Sequence, residues 1–212
     1  MIKAKLKRTI ALVMAMLMFV SVYSVSAFAV DDEVVANISF FCVVKSPGHC
    51  WIYIENLSDE PMQVGAYTLE VGKGVSVGTF GPSRNDGKGI YYNVEAYCQT
   101  KYGIKSFRTL TQQITLSQVE TVSEGILNYD NNWNVFRNCV TFATKIWNLV
   151  SDKKLSNLIF PAFTNLQLSF MGSRKNGVTQ KPVSADEVFK QKENGSEAYL
   201  KNVSDGSLKN LW

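Results

Sequence analysis

The sequence predicts an α+β domain in which an antiparallel sheet packs against a cysteine-bearing helix. Strand-like apolar runs dominate from Ile38 to Ala96, whereas apolar residues at three- and four-residue spacing appear only later, near residues 116–126 and 142–150. Strands first and helices afterwards is the order of an α+β chain rather than of alternating βα units.

The first 29 residues stand apart. Lys3, Lys5, Lys7 and Arg8 precede an apolar run from Ile10 to Val20, and Ala27-Phe28-Ala29 supplies a small-residue cleavage site. This pattern predicts a secretory signal peptide over 1–29, because the apolar run is too short and wrongly flanked for a membrane span. No other stretch is long and apolar enough to cross a bilayer, so no membrane span is expected in the mature chain. The protein is therefore expected to be secreted, extracellular or cell-wall associated. Residues 30–172 read as one folded domain, and 173–212, rich in Ser, Asn, Lys and Gly, as a polar C-terminal extension, peripheral and partly mobile.

Within the domain, Asn37 to Val44 (Ile38, Phe40, Phe41, Val43, Val44) reads as a buried strand that Ser46-Pro47-Gly48 ends. His49 to Leu57 alternates, with Cys50, Ile52 and Ile54 on one face and His49, Trp51, Tyr53 and Glu55 on the other. Ser58 to Pro61 predicts a hairpin into Met62–Val71, and Gly72-Lys73-Gly74 a turn into Val75–Phe80. Gly81 to Gly89 is a polar loop, after which Ile90 to Ala96 resumes as a strand. Thr115-Leu116-Ser117-Gln118 has capping-box spacing and predicts a helix from about Ser117 to Leu127. Phe142, Ala143, Ile146, Trp147, Leu149 and Val150 define the core side of a helix that begins near Cys139. Ser184 to Glu187 caps one short helix in the extension.

Charge excludes some functions. The four basic residues of the signal account for the whole formal excess of +4, so the remaining chain is balanced. No basic stripe favours nucleic acid and no charge run favours an anionic membrane. One histidine and no C-x-x-C pair leave no zinc-site pattern, and the glycines at 72, 74, 78 and 81 precede no helix that would make a phosphate-binding loop. No cofactor and no metal is expected.

Cys139 is the candidate nucleophile. It follows the Asn-rich run Asn131, Asn132, Asn134, Asn138 and opens an amphipathic helix, where unpaired amides and the helix dipole favour a thiolate. The same amides suit a developing oxyanion. His49 is the only histidine, so an imidazole base for Cys139 has to be His49. Two plainer readings stay open: Cys139 as a buried apolar anchor of the helix, or as one end of a disulfide in an exported chain with four cysteines, Cys42, Cys50, Cys98 and Cys139. Cys42 and Cys50 flank a turn and can pair without Cys139.

A small residue plus His opening a strand (Gly48-His49), followed much later by Asn138-Cys139-x-x-Phe142-Ala143 at a helix start, resembles the circularly permuted branch of the papain-like, NlpC-related superfamily, which includes lecithin retinol acyltransferase-like proteins. The resemblance runs from about Phe41 to Val150 and has the permuted order, His first and Cys second. It implies a permuted papain-like fold and a thiol mechanism in which Cys139 attacks an amide or ester carbonyl, His49 moves the proton, and an acyl-enzyme forms. It also implies a third polar residue that orients the imidazole. Asn93 is the first choice for that role, and Glu70, placed roughly opposite position 49 by a four-residue hairpin, the second. The expected function is a secreted cysteine peptidase or amidase acting on a peptide or cell-wall peptide substrate. The alternatives are a thiol acyltransferase of the same fold and a non-catalytic secreted binding domain.

Overall fold

A computed structural model describes residues 33–45, 48–81, 88–103, 107–130 and 132–191, and the backbone of 197–199. The expected signal peptide, the turn residues 46–47 and residues 82–87 of the expected loop lie outside the described residues. The chain is α+β. Eight strands form one antiparallel sheet: β1 (Val34–Val43), β2 (His49–Asn56), β5 (Gly74–Phe80), β6 (Gly89–Tyr92), β7 (Phe107–Thr115), β8 (Arg174–Lys175), β9 (Phe189–Gln191) and β10 (Glu197–Tyr199). Their order is β10-β9-β6-β5-β2-β1-β7-β8, and the short β3 (Met62–Val64) and β4 (Tyr67–Leu69) make a separate hairpin. Four helices, α1 (Val94–Tyr102), α2 (Leu116–Leu127), α3 (Cys139–Val150) and α4 (Pro161–Phe170), complete the described elements.

The even residues of β1 and β2 face α2 and α3. Phe40, Ile52 and Ile54 join Val122, Ile126, Val140, Phe142, Ala143, Ile146 and Trp147 in the main core, with Phe40 edge-on to Trp147 at 6.2 Å. This is the expected sheet-against-cysteine-helix arrangement. Its odd face is buried too, because Phe41, Val43, Trp51, Tyr53 and Phe107 form a second cluster. Polar residues within 173–191 cover that face: Trp51 Nε1 donates to Gln180 Oε1, and the Lys181 amide donates to Tyr53 Oη at 2.8 Å.

Residues 173–191 are no loose appendage. β8 and β9 pair with β7 and β6, Phe189 stacks on Tyr92 at 4.5 Å, and Tyr92 Oη donates to Gln191 Oε1 at 2.7 Å. Few but well-placed aromatic and amide groups anchor a stretch whose composition alone reads as peripheral. The Ser184/Glu187 capping box is present and opens a single 3-10 turn.

Three further expectations are corrected. Met62–Val71 does not continue the main sheet: Gly65, at φ 58°, turns the chain where a Cβ would strike Tyr92 Oη and Ile126. The expected strand Ile90–Ala96 stops at Tyr92, because Asn93 adopts φ 64° and α1 begins at Val94. In α2 the capping box forms as read, with Thr115 and Gln118 satisfying each other's amides. Leu149, expected in the core, is instead exposed.

Candidate active site

Two elements bring Cys139 and His49 together. Asn138 caps α3, its Oδ1 accepting from the Val140 amide at 2.9 Å and the Thr141 amide at 3.3 Å, while its Nδ2 donates to the carbonyls of Val135 and Ile159. One side chain thus fixes the helix start and both flanking loops. Cys139 is the first residue of α3 and is half-buried.

β2 carries His49 at its first position. On its β5 side β2 is paired only from Ile52 to Glu55, so the start of the strand opens toward Cys139. The orientation of the main chain follows from two bonds: the Asn56 amide points to Lys73, beside β5, and the Leu57 amide to Val35 of β1. Amides alternate sides along a strand, so the Cys50 amide points away from β1. On that side it lies near Cys139, whose thiolate is favoured by the His49 imidazole and by the Cys50 and Val140 amides.

His49 is held from several sides. Its Nε2 donates to Glu95 Oε1 at 2.9 Å, and its ring stacks on Phe80 at 4.6 Å and on Trp51 at 5.6 Å. Glu95 is 1% exposed and its second oxygen accepts from Ser76 Oγ at 2.9 Å, which in turn accepts from the Ala96 amide. Space for this pair comes from Gly78 on β5, where a Cβ would collide with Glu95 Oε1 and come within 3.1 Å of His49 Nε2. The result is a line Ser76, Glu95, His49, buried as far as the imidazole and ending at the half-buried Cys139.

The titration of the pair follows from these contacts. Burial opposes the imidazolium most, but the Cys139 charge and hydrogen bond, followed by those of Glu95, outweigh it and raise His49 to about 10. Burial likewise opposes a Cys139 thiolate, yet the His49 charge and hydrogen bond and the Cys50 and Val140 amides hold the thiol below its ordinary range. Both shifts favour the thiolate-imidazolium form.

Asn93, the expected third residue, does not hold the imidazole. Its Nδ2 donates to the Glu187 carbonyl at 3.0 Å, its Oδ1 accepts from the Ser76 amide at 3.3 Å, and its own amide donates to the Ser76 carbonyl. Asn93 instead makes the left-handed turn that starts α1 and aims Glu95 at His49. Glu70 is exposed beside the β4 turn and lies on no strand paired with β2. Glu95 escaped the sequence reading because Ile90–Ala96 read as one strand. Its signal was isolation: it is the sole carboxyl group between Asp86 and Glu120, set among Val94, Ala96, Tyr97 and Cys98.

No protein-family model, no curated protein and no solved structure matches the chain. The site therefore rests on its own geometry.

All four cysteines are thiols, so Cys139 is not one end of a bridge in this structure. Among the described residues no group of three or more His, Cys, Asp or Glu is placed to hold a metal ion, and no helix is long and apolar enough to cross a membrane. The rim of the site is apolar. Trp133 lies over Gly81, next to Phe80, Val135, Phe136 and Phe160 are exposed on the two segments that Asn138 ties together, and Phe163 is exposed in the first turn of α4.

Proposed function

We propose that this protein is a secreted cysteine hydrolase of permuted papain-like architecture, with Cys139 as nucleophile, His49 as the proton-transfer group and Glu95 as the residue that orients His49. The observation that carries the reading is the continuous contact from Glu95 through His49 to Cys139 at the start of α3. A buried structural cysteine needs neither an imidazole nor main-chain donors on its sulfur. A nucleophile needs both.

With Nε2 tied to Glu95, Nδ1 is the ring nitrogen that exchanges the proton with Cys139. The resting pair is thiolate and imidazolium, so attack on a carbonyl needs no prior deprotonation. As the tetrahedral intermediate collapses, the imidazolium protonates the leaving amine or alcohol and leaves a thioester on Cys139. Neutral His49 then activates water to hydrolyse it. Asn138 occupies the Val140 and Thr141 amides, which leaves the Cys139 amide as the first-turn donor for the oxyanion. His49 before Cys139 in the chain, an antiparallel sheet and a cysteine-bearing helix packed against the histidine strand all support the permuted papain-like reading. Peptides, including cell-wall peptides, are the substrate class that the resemblance suggests.

An activated ester such as a p-nitrophenyl acylate, quenched in acid, tests the reading by intact mass. One acyl group on wild-type protein, mapped to Cys139 and absent from Cys139→Ala, is the expected result. Wild-type protein that turns over no ester and gains no acyl mass would sink it.

A further inference from the structure

Cys139 is not the only thiol at this corner of the fold. Cys42 on β1 and Cys50 on β2 are direct cross-strand partners, and neither is exposed. Because the Cys50 amide points away from β1, this is a non-hydrogen-bonded pair, the kind in which facing Cα atoms lie about 4.5 Å apart and side chains are closest. That separation falls inside the span a disulfide requires, roughly 4.4–6.8 Å. The two thiols act on each other's titration, and Cys42 Sγ donates to the Pro161 carbonyl at 3.3 Å. Cys50 is at the same time the residue whose amide favours the Cys139 thiolate. Cys139 packs against the same core cluster that holds Cys42 and Cys50, its charge is felt at the Cys50 thiol, and of the three only Cys139 is not fully buried.

We propose that Cys42 and Cys50 are a redox-active dithiol that takes oxidation off Cys139, ending as a Cys42–Cys50 disulfide with Cys139 restored. The inference rests on the reading of Cys139 as the reactive thiol. The oxidant is a low-molecular-weight disulfide, RSSR. Cys139 thiolate attacks one sulfur of RSSR, forms Cys139–S–S–R and expels one RS⁻. Cys50 thiolate attacks Cys139 Sγ, expels the second RS⁻ and forms Cys139–S–S–Cys50. Cys42 thiolate then attacks Cys50 Sγ and expels Cys139 thiolate. In sum, one RSSR is reduced to two RSH, and the two thiols of Cys42 and Cys50 lose two electrons and two protons to become one disulfide.

The resting state keeps the dithiol silent. Burial raises the Cys50 thiol well above its ordinary range, and the hydrogen bond from Cys42 and the nearby Cys139 charge raise it further. Oxidation of Cys139 removes that charge, so the Cys50 thiol gives up its proton to solvent more readily. Cys98 plays no part, being buried in a different cluster with Tyr91, Val94 and Tyr97.

The test uses one equivalent of dithiobis(nitrobenzoate) on the reduced, folded mature protein, with the released aryl thiolate read by absorbance and the linkages by peptide mapping. Wild-type protein is expected to release about two aryl thiolates per chain, to contain the Cys42–Cys50 disulfide, and to keep Cys139 alkylatable. Cys42→Ala should stall at Cys139–Cys50, and Cys50→Ala should release about one aryl thiolate and keep the aryl group on Cys139. In Cys139→Ala, disulfide formation at Cys42–Cys50 should slow by at least ~10-fold, since the entry thiol is gone. A wild-type protein that retains the aryl group on Cys139 as Cys50→Ala does overturns the relay while leaving the nucleophile reading intact. An unslowed Cys139→Ala overturns it as well. No release from native wild-type protein defeats both readings together.

Discussion

His49 Nε2 donates to Glu95 Oε1 across 2.9 Å inside the protein, with the imidazole 5% exposed as a residue and the carboxyl 1%. The bond fixes the ring and adds to the forces that raise His49 to about 10. Glu95→Gln keeps a hydrogen-bonding group in place and removes the charge. The expected outcome is a lower His49 pKa, a higher Cys139 pKa and an activity loss of about 10-fold or more, within the range that general acid-base groups contribute. A pH series of iodoacetamide labelling reads the thiol directly; an unchanged profile would show that Glu95 does not act on the pair.

The alkaline limb of activity should report His49. Leaving-group protonation needs the imidazolium, whose pKa is raised from 6.5 to about 10. Activity should therefore hold across neutral pH and fall as pH rises through about 10, instead of falling near 6.5. An acyl-transfer assay with an amide substrate measured from pH 5 to pH 11 checks this, and a decline already complete by pH 8 would contradict it.

Gly78 gives a test of space rather than of charge. In Gly78→Ala the new methyl meets Glu95 Oε1 and lies 3.1 Å from His49 Nε2, so the pair must move. The expected result is an activity loss of at least ~10²-fold, in keeping with the sensitivity of catalysis to misplacement of about 1 Å, with the fold retained. Gly72→Ala is the control, because nothing lies within 4 Å of its added Cβ. It should cost stability through its positive φ and leave the labelling of Cys139 unchanged.

Truncating Asn138 or Phe189 probes the scaffold. Asn138→Ala removes an N-cap and should cost about 1 kcal/mol, together with lower Cys139 reactivity as the helix start loosens. Phe189 is fully buried and stacked on Tyr92, so Phe189→Ala should cost roughly 3–5 kcal/mol. Urea unfolding midpoints measure both. A negligible cost at Phe189 would mean that the polar C-terminal segment contributes little to the sheet.

Much of this arrangement was legible in the sequence because local patterns dominate where the core is built. The alternation of His49 to Glu55, the capping box at Thr115 and Gln118 and the apolar spacing after Cys139 each depend on near neighbours, and each formed where it was read. The parts that escaped depend on distant partners or on one unusual dihedral. α1 begins because Asn93 takes a left-handed conformation beneath Ser76 and Glu187, and no periodicity records that. α4 was not foreseen, since its exposed Phe163, Leu166 and Phe170 blur its amphipathic pattern. The segment after Gly172 lacks apolar density, and its described residues 173–191 are held by single contacts such as Gln180 to Trp51. In the candidate site, Cys139 and His49 were visible through residue type and scarcity, whereas Glu95 needed the turn at Asn93 to become the partner of His49.

The most direct test of the central claim is the pH dependence of iodoacetamide labelling of native protein, with the modified cysteine located by peptide mapping. The account predicts selective labelling of Cys139 that persists well below pH 9 in wild-type protein and loses its acidic limb in His49→Ala. Labelling of Cys139 that tracks an ordinary thiol, with the same profile in both proteins, would contradict the thiolate-imidazolium pair on which the proposed chemistry rests.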